Sequence, residues 1–159
     1  MKLFSIYAII AALTFGLFGC SAASQDAASE FDVECISSSA GGVQSFEPQT
    51  AVINSDEALK EYVRDMGEAD REALMDAAGR LKDLFTDGRN LIILAFAVDS
   101  GSTDMKVSGV KCEGGEVAVE LTRKTPEVGT MDMAFWTILI ATQVPADATV
   151  KVNITDAGI

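Results

Sequence analysis

The chain has 159 residues, 24 acidic against 12 basic, and no histidine, for a formal net charge of −12. That balance repels nucleic acid and anionic membrane surfaces, both of which are bound through clustered Lys and Arg. Without histidine there is no Ser-His-Asp or Cys-His nucleophilic site, no His-ligated zinc, and no residue of the type most used as a general base.

The N-terminal stretch reads as a targeting segment. Met1-Lys2 gives a positive start, Leu3 to Leu17 is apolar apart from Ser5, Tyr7, Thr14 and Gly16, and Leu17-Phe18-Gly19-Cys20 closes it. Such a segment is a secretory signal and is set aside from fold reasoning. The closing tetrapeptide resembles the bacterial lipobox, in which a small residue precedes a cysteine that is acylated and becomes the new N-terminus. Phe18 stands where a small or aliphatic residue is usual. Two alternatives remain: an uncleaved helical anchor, which needs about twenty apolar residues, and an ordinary cleaved signal with an incidental cysteine. Acylation at Cys20, by palmitate or a similar chain, supplies the two or more chains that stable anchoring requires. Ser21, in place of Asp, resembles the choice that sorts lipoproteins to an outer membrane. The expected place is therefore the cell envelope, lipid-anchored at an outer membrane or cell surface, with a periplasm-facing side included.

Residues 1–19 are thus expected to be a lipoprotein signal peptide, 20–31 a flexible tether, and 32–159 a single domain. The tether is rich in Ser, Ala, Gln and Asp and has little to bury. Once Cys20 carries lipid, Cys35 and Cys112 remain, and in an oxidising compartment two such cysteines commonly pair. A bridge would add about 4 kcal/mol in the chain-entropy model; the alternative is two buried free thiols.

Phe31 to Ile36 alternates as a first strand, and Ser37 to Gly42 forms a turn cluster. Val43 to Phe46 and Thr50 to Ile53 read as short strands on either side of Pro48. Asn54 or Ser55 caps a helix, Asn54 and Glu57 having the capping-box spacing. Leu59, Tyr62, Val63 and Met66 form its apolar stripe, and Gly67 ends it. A second helix is predicted from about Ala69 to Phe85, with Leu74, Ala77, Ala78, Leu81 and Phe85 on one face and Asp87-Gly88 as the stop.

From Leu91 the period changes. Leu91 to Val98 is almost wholly apolar, as in a strand covered on both faces. Met105 and Val107 alternate, then the phase slips to Val110 and Cys112, which predicts a bulge at Gly109. Gly114-Gly115 suits a two-residue hairpin turn, with Val117, Val119 and Leu121 beyond it. A loop follows around Pro126 and Gly129, then an apolar run from Ala134 to Ala141, a turn at Pro145 and Asp147, and a last strand with Val150, Val152 and Ile154. The expected class is α+β, a mostly antiparallel sheet with two helices packed on one face.

From Leu91 to Pro145 the order is apolar strand, Gly-containing turn, alternating hairpin, Thr125-Pro126-x-x-Gly129 loop and apolar strand ending at Val144-Pro145. With Val52 to Leu59 upstream, this resembles the C-terminal domain of the protease-complex-associated PrcB family, over about Val52 to Ile154. In that family the turn after the first apolar strand often reads like Thr-Gly-Gly-Tyr; here Asp99-Ser100-Gly101-Ser102-Thr103 keeps only the glycine. The resemblance implies a non-catalytic lipoprotein module that binds or stabilises a partner protein, a protease in the namesake case. Trp136, Pro126 and Gly129 are the candidate interaction residues. No catalytic residue, cofactor or metal is expected.

Val98-Asp99-Ser100-Gly101-Ser102 also resembles the Asp-Thr/Ser-Gly loop of aspartic proteases, so the alternative is a homodimeric enzyme using Asp99. The plainer reading is a polar strand-end turn. Asp99 and Asp104 alone are too few oxygens for calcium. Asn153-Ile154-Thr155 fits a glycosylation acceptor but reads equally as a strand end. Phe135 and Trp136 face opposite ways, so one could serve as an exposed anchor or both could pack in the core. Glu116 and Glu120 read as the solvated face of the hairpin.

Overall fold

The computed structural model describes residues 30–38, 45–130 and 132–157. The expected signal segment, nearly all of the expected tether and the expected strand start at Val43 lie outside them. The elements run β1 (Phe31–Ser38), β2 (Gln49–Ile53), α1 (Asp56–Tyr62), α2 (Glu68–Arg80), β3 (Arg89–Val98), β4 (Asp104–Glu113), β5 (Glu116–Lys124), β6 (Ala134–Gln143) and β7 (Thr149–Asp156).

Burial explains how the strands group. β3 is buried from Leu91 to Val98 and β6 from Ile138 to Thr142, so both need cover on both faces. They lie side by side at the middle of a four-stranded sheet ordered β1-β6-β3-β2, antiparallel throughout. β4 and β5 instead alternate buried with more exposed residues, and β7 alternates half-buried with exposed ones over most of its length. They form a separate sheet ordered β4-β5-β7, in which β5 and β7 run parallel.

The class is mixed α+β, and the strands divide into two sheets where one had been expected. The chain alternates between the sheets: β5 belongs to the second, β6 to the first, and β7 to the second again. This alternation is what makes β5 and β7 parallel.

Two buried clusters share β3 and β6. One joins Ile92, Leu94, Phe96, Ile138 and Ile140 to Val110, Val117, Val119 and Leu121 of the second sheet. The other joins the alternate residues Leu91, Ile93, Leu139 and Ala141 to Leu59, Val63, Leu74, Ala77 and Leu81 of the helical region.

Local chemistry sets the element ends. Ser55 is the cap of α1, its hydroxyl accepting from the Ala58 N–H at 3.1 Å. Asn54 is exposed and outside the cap, so the predicted Asn54–Glu57 box is not the one used. α2 stops at Arg80, short of the expected Phe85, because Leu81 turns extended with ψ 133. Asp83, Phe85 and Asp87 then adopt positive φ of 49, 63 and 49. The Asp83 carbonyl accepts from the Thr86 hydroxyl at 2.7 Å and Thr86 N–H at 3.2 Å, which closes this turn. Leu81 and Phe85 still join the helical cluster. The 3.6 period there records contacts that persist after the helix has ended.

The hairpin follows its sequence closely. Gly114 and Gly115 have φ of 59 and 85 between the paired Glu113 and Glu116, a turn that needs left-handed backbone at both positions. The register shifts between Val107 and Gly109, where the slip in apolar phase was seen. Ser108 is left over at the shift and its hydroxyl donates to the Glu120 carbonyl at 3.1 Å.

Gly115→Ala should lower unfolding free energy by about 1 kcal/mol, since the left-handed backbone disfavours a Cβ, although nothing lies within 4 Å to clash. Gly115→Asn should cost less, because Asn tolerates this conformation. Urea denaturation of the two variants checks both.

Candidate functional site

The inward faces of β5 and β7 end in charge. Val117, Val119 and Leu121 are followed two residues on by Arg123, and Val150, Val152 and Ile154 by Asp156. The parallel register places Arg123 opposite Asp156. Arg123 donates from Nε at 2.6 Å and Nη2 at 3.1 Å to the two oxygens of that carboxylate. This bidentate bond raises the Arg123 pKa above its ordinary value, and the nearby charges of Asp156 and Asp99 add to the rise. Asp156 is held below the usual carboxylate range by the same bond. The pair's contribution is present above the ordinary aspartate range and is lost as pH falls through the depressed Asp156 value, so it is intact at neutral pH.

Across from this pair, Ser45 accepts a 2.7 Å backbone hydrogen bond from Ala97, which brings the segment before β2 against the end of β3. Phe46, at 61% exposure, is thereby set beside Ile154, at 38%. Between them lies a cleft of about 130 Å³ whose buried lining comes from Phe96, Val98 and Met105, with Arg123 and Asp99 as its charged groups. It suits a single apolar group with a charge beside it. Its lining carries no hydroxyl or thiol. Among the described residues no three acidic or cysteine side chains converge on a metal position.

The Asp99–Thr103 turn is joined to the 129–132 loop. Ser100 is buried, with its hydroxyl 3.4 Å from that of Thr130 and accepting from the Ser102 N–H at 3.3 Å. The Ser102 and Thr130 hydroxyls lie 3.2 Å apart, and Gly101 N–H donates to the Asp132 carbonyl at 2.9 Å. The Asp132 carboxyl is held below its ordinary value, first by the Thr130 hydroxyl, then by its own and the Gly101 backbone N–H groups. The loops approach so closely that a Cβ on Gly101 would lie 2.5 Å from Asp132 Oδ2, and one on Gly129 2.8 Å from Ser100 Oγ. Ser100 thus behaves as a strand-end turn residue, while Asp99 is exposed at the cleft.

Of the sequence-derived interaction residues, none lines the cleft. Gly129 and Pro126 are exposed in the loop after β5. Trp136 is half-buried against the inter-sheet cluster, and its indole N–H is enclosed without a hydrogen-bond partner. Phe135 is also half-buried. Asn153 donates to Glu120 at 2.9 Å, and Lys151 pairs with Glu116 at 2.7 Å.

The cysteine expectation is corrected. Cys35 and Cys112 are both free thiols, the first exposed and the second half-buried. Although Cys35 is exposed overall, partial desolvation of its thiol raises the pKa most, followed by the charges of Glu34 and of Asp104 at the start of β4. Cys112 sits near the far end of that strand, roughly 25 Å away at the usual rise per residue. A disulfide needs Cα atoms within about 7 Å.

The residues that sequence reasoning missed are Phe46, Arg123 and Ile154. Arg123 had a legible signal, a cation in phase with an inward apolar series. Phe46 had none, since its position depends on a backbone bond to a strand fifty residues later. Comparison with protein-family models, curated proteins and solved structures found no match.

Gly129→Ala should destabilise the domain by about 1–3 kcal/mol, as overpacking does, measured by thermal unfolding. An unchanged melting temperature would show that the loops are not held at this distance. Alkylation of Cys35 should have its pH midpoint above that of a free thiol, and Asp104→Asn should lower it. A pH–rate series with iodoacetamide on a Cys112→Ser background reads both.

Proposed function

We propose that the chain is a lipoprotein held at the cell envelope by acyl chains on Cys20, and that its α+β domain works by contact with a partner protein without catalysis of its own. Anchoring is supported by the positive start, the apolar stretch and the Leu17-Phe18-Gly19-Cys20 closure. The single observation that carries the contact role is the cleft, where Phe46 and Ile154 stay exposed beside Arg123 and Asp99. Apolar side chains gathered at one exposed place are what a binding site presents. We also read the two helices as packing on one face of the four-stranded sheet, because their buried residues cluster with one alternate set from β3 and β6. The likeness of Val52–Ile154 to the PrcB domain supports a protease as the partner class.

Mass spectrometry of the native protein should give a mature chain that begins at Cys20 and carries acyl mass. Cys20→Ala should lose that mass and move to the soluble fraction. A native first residue without lipid sinks the anchoring claim. Peptide cleavage that disappears in Asp99→Asn sinks the contact role in favour of an aspartic protease.

A further inference from the structure

Four large apolar side chains are exposed among the described residues, and two of them, Phe46 and Ile154, meet at one cleft. Phe46 precedes β2 of the first sheet and Ile154 lies in β7 of the second, so their meeting is a product of the fold and of no local sequence pattern. The cleft, about 130 Å³, is near the ~150 Å³ of an apolar cavity that accepts a benzene-sized molecule. One leucine to phenylalanine side chain matches that space.

Charge narrows the choice of neighbour for that side chain. The charge of Arg123 is balanced by Asp156, whose two oxygens accept from its Nε and Nη2. Asp99 stands exposed at the same cleft. Arg123, Asp156 and Asp99 together leave one negative charge in excess, and the net charge of −12 on the chain adds a long-range field of the same sign.

We propose that the cleft takes an apolar side chain adjacent to Lys or Arg in an exposed segment of the partner protein. The apolar group sits between Phe46 and Ile154 over Phe96, Val98 and Met105, and the cation faces Asp99. The long stem of Lys or Arg keeps apolar contact with the rim while its head stays in water. This rests on the contact role proposed above and names the chemistry of the segment bound.

The test uses the full lipidated chain, isotope-labelled in phospholipid nanodiscs. It is titrated with acetyl-Gly-Leu-Lys-Gly-amide and, separately, with acetyl-Gly-Leu-Glu-Gly-amide. The Leu-Lys peptide should saturably shift the amide resonances of Val98, Asp99, Met105 and Arg123, and the Leu-Glu peptide should bind about 25-fold more weakly, since one close charge in water is worth about five-fold and the exchange turns an attraction into a repulsion. Asp99→Asn should remove most of that difference, and Ile154→Ser should weaken both peptides with distant resonances unmoved. Equal affinity for the two peptides, or no saturable shift at the cleft, overturns the proposal. A partner cross-linked to the native chain and retained undiminished by the Asp99→Asn, Ile154→Ser double variant also overturns it, while the contact role stands. Turnover of either peptide would sink the contact role itself.

Discussion

Two neighbouring strands that must both be dry on both faces constrain everything else in this domain. β3 and β6 carry apolar residues at successive positions, so burying one face leaves the other in water unless a second layer exists. The fold meets this demand with unlike partners. One alternate set of their residues clusters with buried residues of the second sheet, and the other set clusters with buried residues of the helical region. Each partner has its own wet face, which lets a chain of this size enclose a doubly buried pair of strands.

Acidic excess shapes how the cations are used. Arg80 reaches Glu34 of β1 at 2.9 Å, and Arg89 reaches Asp32 at 2.8 Å while also donating to the Ala141 carbonyl. The Arg80 pair is exposed and screened by solvent, so it contributes little; Arg89 is better enclosed, with 15% of its side chain exposed. These arginines hold β1, and Arg123 closes the end of the second sheet, while Lys60, Lys82, Lys106, Lys111 and Lys124 stay exposed outside any ion pair among the described residues. The outward field is acidic because carboxylates outnumber cations, 24 to 12.

The sequence was informative where one residue type answers one physical demand. Gly114-Gly115 marked the hairpin because only such residues accept its backbone, and the slipped phase after Val107 marked the register shift because alternation has a fixed period. It was uninformative where the answer depended on distant segments. The division of strands between two sheets follows from which buried faces meet, and the pattern of β5 alone does not say that β6 will leave it. The end of α2 was misplaced for a related reason: Leu81 and Phe85 satisfy the cluster through a left-handed turn, so they keep helical spacing without helical backbone. At the cleft, Arg123 could be read in phase with its strand, whereas Phe46 could not be placed without β3.

The parallel pairing of β5 with β7 has a consequence for when the cleft is complete. Ile154 and Asp156 belong to the strand that comes after β6, and they supply one wall of the cleft and the counter-charge that occupies Arg123. A nascent chain that has not yet delivered β7 can already own most of both buried clusters while its cleft still lacks one wall. Long-range strand pairing of this kind is slow compared with local hairpin closure. Chain order therefore leaves the cleft unfinished until a late moment of maturation, when its last wall is delivered.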